Sequence, residues 1–352
     1  MANISKESSS TGLEGPESVG GFHRGEDFRI LEVIPGNGRG AAFVFARRQV
    51  SSLAKAGVNV RSFYLAQGWL PQVLFREWRR LRREIRQFRP ALVHAHYGSL
   101  TALFCAAAST VPLIVTLQGS DLNENPEVNP IHILLAHLFS HIACLRAKRV
   151  IVVSKQLRNR LFSHRRDAAV IPTGVDMRVF RPIAQEQARR VLGWPEGIPI
   201  VLFHSGRRPR LKGAHIIQPA VRAAEQMMGP IRLMDLNGDV PCDLVPYWIN
   251  AADCVALASV SEGSPNIVKE ALACNVPVVA TDVGDVVERL QDVEPSRVVR
   301  RDVAEFEEAL ASILRQRRRS NGREKVRALD EPCIAQAVRA VYESALEDKV
   351  GA

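Results

Sequence analysis

Two carboxylates, Glu262 and Glu270, bracket the run Gly263-Ser264-Pro265-Asn266. Such a pair can act as acid and base, or can grip both ends of one extended polar ligand. Eight helical residues span ~12 Å, enough to reach the two ends of an extended diphosphate ligand. Upstream, Arg207 and Lys212 follow an apolar run that ends at Gly206. Two cations at a strand end would neutralise a diphosphate as it becomes a leaving group. The backbone N–H groups of residues 263–266, at the start of a helix, would add an edge that binds anions or hydroxyls. Alone, each feature is ordinary, because Glu pairs at this spacing arise by chance and most Arg/Lys pairs are simply solvated. Together, at strand ends of one half of the chain, they outline a site.

The elements that must position these groups are legible as patterns. Residues 254–259 and 276–281 are short, branched apolar runs of the kind found in strands buried on both faces. Between them Ser264 is expected as a helix N-cap, with Pro265 at the first helical position. Residues 198–206 and 231–236 read as two further strands of the same half, and residues 214–227 and 244–251 as helices. A parallel α/β sheet binds ligands at its carboxyl edge, where these loops converge.

The first half opens the same way. Residues 29–34 read as a strand, residues 36–41 as a glycine loop of GxGxxA form, residues 41–56 as a helix and residues 58–65 as a strand. A nicotinamide dinucleotide would need an acidic residue at the end of the second strand, and Tyr64-Leu65-Ala66-Gln67 supplies none. The loop is therefore read as a general phosphate- or ligand-facing element, with Gly38 expected among the donor-binding residues. Residues 74–88 form an arginine-rich helix with the stripe Leu74, Trp78, Leu81, Ile85 and Phe88. It reads as a crossover helix with solvated arginines, or alternatively as a membrane-surface helix. Two strands follow, ending at His94-Ala95-His96 and at Gln118-Gly119-Ser120-Asp121. His94 is expected in the core, and His96 either there or in the cleft. The HxH pair lacks a third ligand at metal-binding spacing. His132, His137 and His141 lack the glutamate of HExxH and are read as structural or surface residues.

The chain of 352 residues suits two domains, and its 46% hydrophobic content suits packed cores. Its formal charge of +10 favours anionic partners. Six scattered cysteines without a CxxC pair read as reduced core thiols. The basic runs lack interleaved aromatics, so nucleic acid is not expected. Residues 1–27 read as a polar disordered leader, and no run reaches the ~18 apolar residues of a membrane span. The expected domains are 28–182 and 190–330, with a helix in 331–352 packing back on the first. The expected location is cytoplasmic, or peripheral at the inner face of an anionic membrane.

With these elements placed, residues 29–314 resemble the retaining glycosyltransferases of family 4, of GT-B architecture. The resemblance rests on the loop 36–40, LVHAHYG (92–98), TLQGSD (116–121), VIPTGVD (170–176), GRRPRLKG (206–213) and above all SEGSPNIVKEALACNVPVVATDVGD (261–285). It implies an α/β fold of two Rossmann-like parallel-sheet domains facing across a cleft. It implies transfer of a sugar from a nucleotide-sugar to a glycan or lipid-linked acceptor, with retention and with neither cofactor nor metal. The counterparts of Arg207 and Lys212 bind the donor diphosphate, that of Glu262 the sugar and that of Glu270 the ribose, with Gly263, Ser264, Pro265 and Asn266 beside them. Two departures stand out. Gln118 occupies a position often held by histidine and cannot take a proton near neutral pH. His96 thereby joins Glu262 as an expected group at the reacting centre, with Gln118 and Asp121 on the acceptor or cleft side. Asn275 replaces a glycine and tolerates left-handed backbone. Other readings compatible with this architecture are a sugar-nucleotide epimerase and a non-catalytic peripheral membrane protein that binds nucleotides.

Overall fold

The computed structural model describes residues 28–347 except 41, 67, 69, 163, 164 and 166. The expected leader at 1–27 lies outside the described residues. The first lobe runs β1 (Arg29–Pro35), α1 (Val44–Lys55), β2 (Asn59–Leu65), α2 (Pro71–Phe88), β3 (Leu92–His96), α3 (Ser99–Ala108), β4 (Leu113–Leu117), α4 (Pro130–Arg146), β5 (Arg149–Val152), α5 (Lys155–Arg158) and β6 (Ala169–Val170). The second runs α6 (Gln185–Leu192), β7 (Ile200–Phe203), α7 (Ala214–Met228), β8 (Arg232–Asp235), α8 (Val245–Ala251), β9 (Cys254–Leu257), α9 (Asn266–Ala273), β10 (Val278–Thr281), α10 (Val286–Leu290), β11 (Arg297–Val299) and α11 (Val303–Gln316). Two further helices, α12 (Gly322–Lys325) and α13 (Glu331–Glu347), close the described chain.

All strands pair in parallel, in the orders β2-β1-β3-β4-β5-β6 and β11-β10-β9-β7-β8. Parallel strands need crossovers, and helices then cover both faces, which is why β3, β4, β7, β9 and β10 are buried at every residue. On one face of the first sheet, Leu81, Ile85 and Phe88 of α2 join side chains of α3 and α4 in one core. The stripe of the arginine-rich helix is thus spent on packing.

Helix α13 leaves the second lobe and returns to the first, where it packs against α1. Its Tyr342 is fully buried and its hydroxyl donates to Glu32 Oε1 at 2.8 Å and meets His94 Nδ1 at 2.7 Å. Glu32 Oε2 also accepts from His96 Nε2 at 2.6 Å, and His94 Nε2 meets Thr116 Oγ1 at 2.7 Å. This corrects the reading of His96 as a cleft residue: it has no exposed surface and points at a carboxylate on the adjacent strand. Glu32 also supplies the third potential ligand that the sequence spacing did not show, all ligand atoms lying within 4.8 Å. Both His94 nitrogens already have hydrogen-bond partners, so the group reads as a buried polar network joining α13 to the sheet. Burial alone would raise the Glu32 carboxyl, but the charge of His94 and the hydrogen bonds of both histidines outweigh it, and it lies well below the usual range. Tyr342→Phe would leave Glu32 Oε1 without its donor and take one partner from His94 Nδ1, which keeps Glu32 Oε2 at 3.0 Å. It should lower the unfolding free energy in denaturant titration by about 1–3 kcal/mol, and a change below ~0.5 kcal/mol would contradict this role.

Candidate functional site

The carboxyl edges of both sheets face a cavity of about 710 Å³, a size typical of small-molecule sites. From the second lobe come His204, Arg208 and Lys212 after β7, Leu236, Gly238 and Val240 after β8, and Glu262 to Asn266 before α9, with Glu270 inside it. From the first lobe come Phe43, Arg48, Tyr97, Gln118 and Ser120. Phe43 and Tyr97 sit edge to face, ring centroids 5.6 Å apart, at φ 52° and 108°. Non-glycine residues held in that region mark backbone over-determined by its surroundings, often at binding sites.

The lobes touch through backbone. A Cβ on Gly119 would stand 2.8 Å from the amide nitrogen of Gly263, and one on Gly263 would overlap the carbonyl oxygen of Gln118. Only glycine lets the two loops approach so closely. Asn123 Nδ2 then donates to the Glu262 carbonyl at 2.9 Å, and Gly284 N to Gln156 Oε1 at 2.8 Å.

The anticipated residues fall into two groups. Gln118, Lys212, Glu262, Gly263, Ser264, Pro265, Asn266 and Glu270 all line the cavity. Arg207 is exposed beside Gly238, while its neighbour Arg208 lines the cavity. Gly38 packs under the Tyr64 ring, and Asp121 is fully buried, accepting the amides of Gly98, Gln118 and Gly119. That carboxylate braces the loop behind Gln118 instead of meeting a ligand. Burial is the main reason its carboxyl is raised, and these amides oppose the shift.

Four of the charged groups in the lining are paired. Lys212 Nζ contacts Glu262 Oε1, which also accepts from Ser259 Oγ at 2.7 Å. Arg48, which no sequence pattern singles out, reaches across the cleft to Glu270 Oε1 at 3.4 Å. Burial raises the Glu270 carboxyl, and Arg48 and Lys269 oppose it. His204 was likewise missed; burial first, then the charge of Lys212, lowers it to about 4, so it presents a neutral imidazole at neutral pH. Gln118 Nε2 is buried and has no partner among the described residues.

The N-terminus of α9 departs from expectation. Pro265, not Ser264, occupies the cap position, and it makes no side-chain cap bond. The Ser264 hydroxyl is diverted: it donates to Asp285 Oδ2 at 2.9 Å and accepts from Lys269 Nζ at 2.7 Å. Lys269 has no exposed surface. Its ammonium also donates to the Thr173 carbonyl at 2.9 Å and contacts Thr173 Oγ1, whose proton goes to Asn266 Oδ1 at 2.7 Å. One buried cation thus ties the loop 264–266 to the segment that crosses between lobes. Asn275 follows expectation, at φ 57°, with its side chain accepting the amide of Arg323 at 2.8 Å.

Two facing parallel α/β lobes with a polar cavity at their carboxyl edges define the GT-B arrangement. The family model described as Glycosyltransferase Family 4 matches residues 39–179, and that described as Glycosyl transferases group 1 matches residues 201–316. They fall on separate lobes and together span most of the chain, which belongs to the family 4, group 1 glycosyltransferases. It is 31% identical over 223 residues to TuaC of Bacillus subtilis (strain 168), a glycosyltransferase named for teichuronic acid biosynthesis, across 57% of this chain and 55% of that one. The chain therefore spans little more than half the length of that relative. It is 28% identical over 327 residues to D-inositol 3-phosphate glycosyltransferase of Pseudarthrobacter chlorophenolicus, across 71% of this chain and 76% of that one. Among solved structures, sucrose-phosphate synthase of Thermosynechococcus elongatus shares the fold at a TM-score of 0.75 and 19% identity, covering 91% and 99% of the two chains.

Burial lowers the Lys269 ammonium from 10.5 to about 8, against the pull of Asp285 and Glu270. A folded pKa below the unfolded one means that charging this amine costs stability below about pH 8, a cost relieved as pH rises towards 10.5. Lys269→Met removes the titration. Between about pH 7.5 and 9.5 the melting-temperature gap should therefore move in favour of the native chain. A gap that stays constant over that range would show that Lys269 does not titrate there.

Proposed function

We propose that the chain transfers a sugar from a nucleotide-sugar to a glycan or lipid-linked acceptor, with retention and without a metal or other cofactor. The observation that carries this reading is the pairing of Lys212 with Glu262 and of Arg48 with Glu270 within one cavity. The cations suit a diphosphate and the carboxylates suit sugar hydroxyls. A bound nucleotide-sugar would exchange with both pairs at once.

In this arrangement the nucleobase lies towards Leu236, Gly238, Val240 and Val245, the apolar part of the lining. Glu270 accepts the ribose hydroxyls, and Arg208 and Lys212 take the diphosphate. Lys212 and Arg208 supply positive charge where the leaving group forms, the service that a divalent ion performs elsewhere. Glu262 holds the transferred sugar, opposite Gln118 of the other lobe. The acceptor enters beside Phe43 and Tyr97. Retention would proceed by front-face attack, a leaving phosphate oxygen drawing the proton from the acceptor hydroxyl while Glu262 holds the sugar by its hydroxyls. The work would take place in the cytoplasm, at the inner membrane face where the acceptor is lipid-linked.

Nucleoside diphosphates should raise the melting temperature, and the matching nucleotide-sugar should be hydrolysed or transferred. Lys212→Ala should reduce turnover by about a thousandfold, the loss typical when one group that stabilises transition-state charge is removed. Glu270→Ala should chiefly raise the donor KM, and Arg208→Ala should cost more turnover than Arg207→Ala. Unchanged kinetics in Lys212→Ala and Glu270→Ala would remove the assignment. Product formed without acceptor, with deuterium entering a sugar carbon, would favour an epimerase.

A further inference from the structure

Helix α4 packs inside out. The residues that it buries are Ser140, Ala143 and Cys144, while Ile131, Leu134, Leu138, Ile142 and Leu145 are 65, 67, 49, 41 and 56% exposed. An ordinary surface helix turns its large apolar side chains to the core and its polar ones to water. Here the small side chains let α4 sit close against α3, and the large ones are left outside. Single exposed leucines are common, but five along one helix form a continuous stripe, which marks an interaction surface.

The flanking charge says what fits the stripe. Helices α3 and α4 contain no acidic residue, and on the other side of α3 lies the arginine-rich α2. Both carboxylates of α2 are engaged, Glu77 with Arg76 and Arg80, and Glu84 with Arg61. Among the described residues Arg79, Arg83 and Arg86 are exposed and have no carboxylate partner. Leu70 and Phe75, 68 and 58% exposed, stand at the start of α2. Among the described residues no helix is long and apolar enough to cross a membrane. An apolar stripe beside exposed guanidinium groups without carboxylate partners is the pattern of a helix lying in the headgroup region of an anionic bilayer.

We propose that the outer face of α2, α3 and α4 docks on an anionic lipid bilayer, with the α4 stripe entering the headgroup–acyl boundary and the α2 arginines meeting lipid phosphates. Self-association through α4 would leave those arginines unneutralised, whereas anionic headgroups complement both features. Helix α4 begins after the loop that carries Gln118 and Ser120 into the cavity wall. Docking therefore brings the cleft mouth to the bilayer surface, where a lipid-linked acceptor would be. Only that last purpose rests on the proposed transfer function; the docking itself does not.

Vesicle co-sedimentation tests the proposal without nucleotide or turnover. The chain should pellet with vesicles of phosphatidylglycerol and phosphatidylcholine, less with phosphatidylcholine alone, and less as salt rises. Leu134→Ser with Leu138→Ser should reduce the bound fraction at least tenfold, and Arg79→Gln, Arg83→Gln and Arg86→Gln together should remove most of the salt dependence. Melting temperatures and the nucleotide-induced shift should remain those of the native chain in both variants. No pelleting with anionic vesicles would overturn the proposal, as would equal pelleting of the leucine variant. A dimer in gel filtration that the leucine substitutions dissociate, without vesicle binding, would overturn it in favour of a self-interface. A chain that binds vesicles but no nucleotide would refute the transfer reading and leave this one standing.

Discussion

An ammonium group without access to water must be surrounded by oxygen atoms or give up its charge. Lys269 meets that demand with oxygens from two separate segments, Ser264 on the loop before α9 and Thr173 on the segment between the lobes. The constraint acts in both directions. The lysine keeps its proton at neutral pH only if those segments stay in place, and they stay because the lysine draws them together. Asn266 is held through Thr173, and Ser264 through Asp285. The backbone that faces the cavity between Glu262 and Glu270 is therefore set from behind before any ligand arrives, which is how a site avoids reorganising during reaction.

The cavity itself is built from charges that neutralise one another across short distances. Lys212 with Glu262, and Arg48 with Glu270, satisfy groups that would otherwise be costly to leave half-buried and alone. A ligand with matching charge and hydroxyls can replace each partner without leaving an orphan. One that lacks either part would strand a carboxylate or a cation. Selectivity of this kind comes from the penalty on the wrong ligand as much as from contacts with the right one. Because Arg48 belongs to the first lobe and Glu270 to the second, the exchange would also loosen or tighten the lobes.

Much of this was legible in the sequence because parallel sheets advertise themselves. Buried strands read as unbroken apolar runs, and their order gave both lobes and the loops that meet at the cleft. Side-chain partners far apart in the chain were the part that could not be read. Ser264 looked like a helix cap because nothing local shows that Asp285 and Lys269 would take its hydroxyl. His96 looked like a cleft residue because its partner, Glu32, lies 64 positions away on a neighbouring strand. Arg207 and Arg208 are adjacent, and only the turn of the loop decides which faces the cavity. In α4 the histidines drew notice, whereas the informative feature was which of its apolar residues are small.

In the proposed reading one nucleotide-sugar spans the cavity from the apolar lining near Gly238 to Glu262. Hydrogen–deuterium exchange with and without the donor identified for this chain tests it most directly. Exchange should slow in three places: residues 206–213, residues 236–245 and the backbone from 260 to 272. Exchange should also slow in the facing loop at 118–123, because the lobes meet there. Protection confined to one lobe, or lying outside these segments altogether, would contradict the reading.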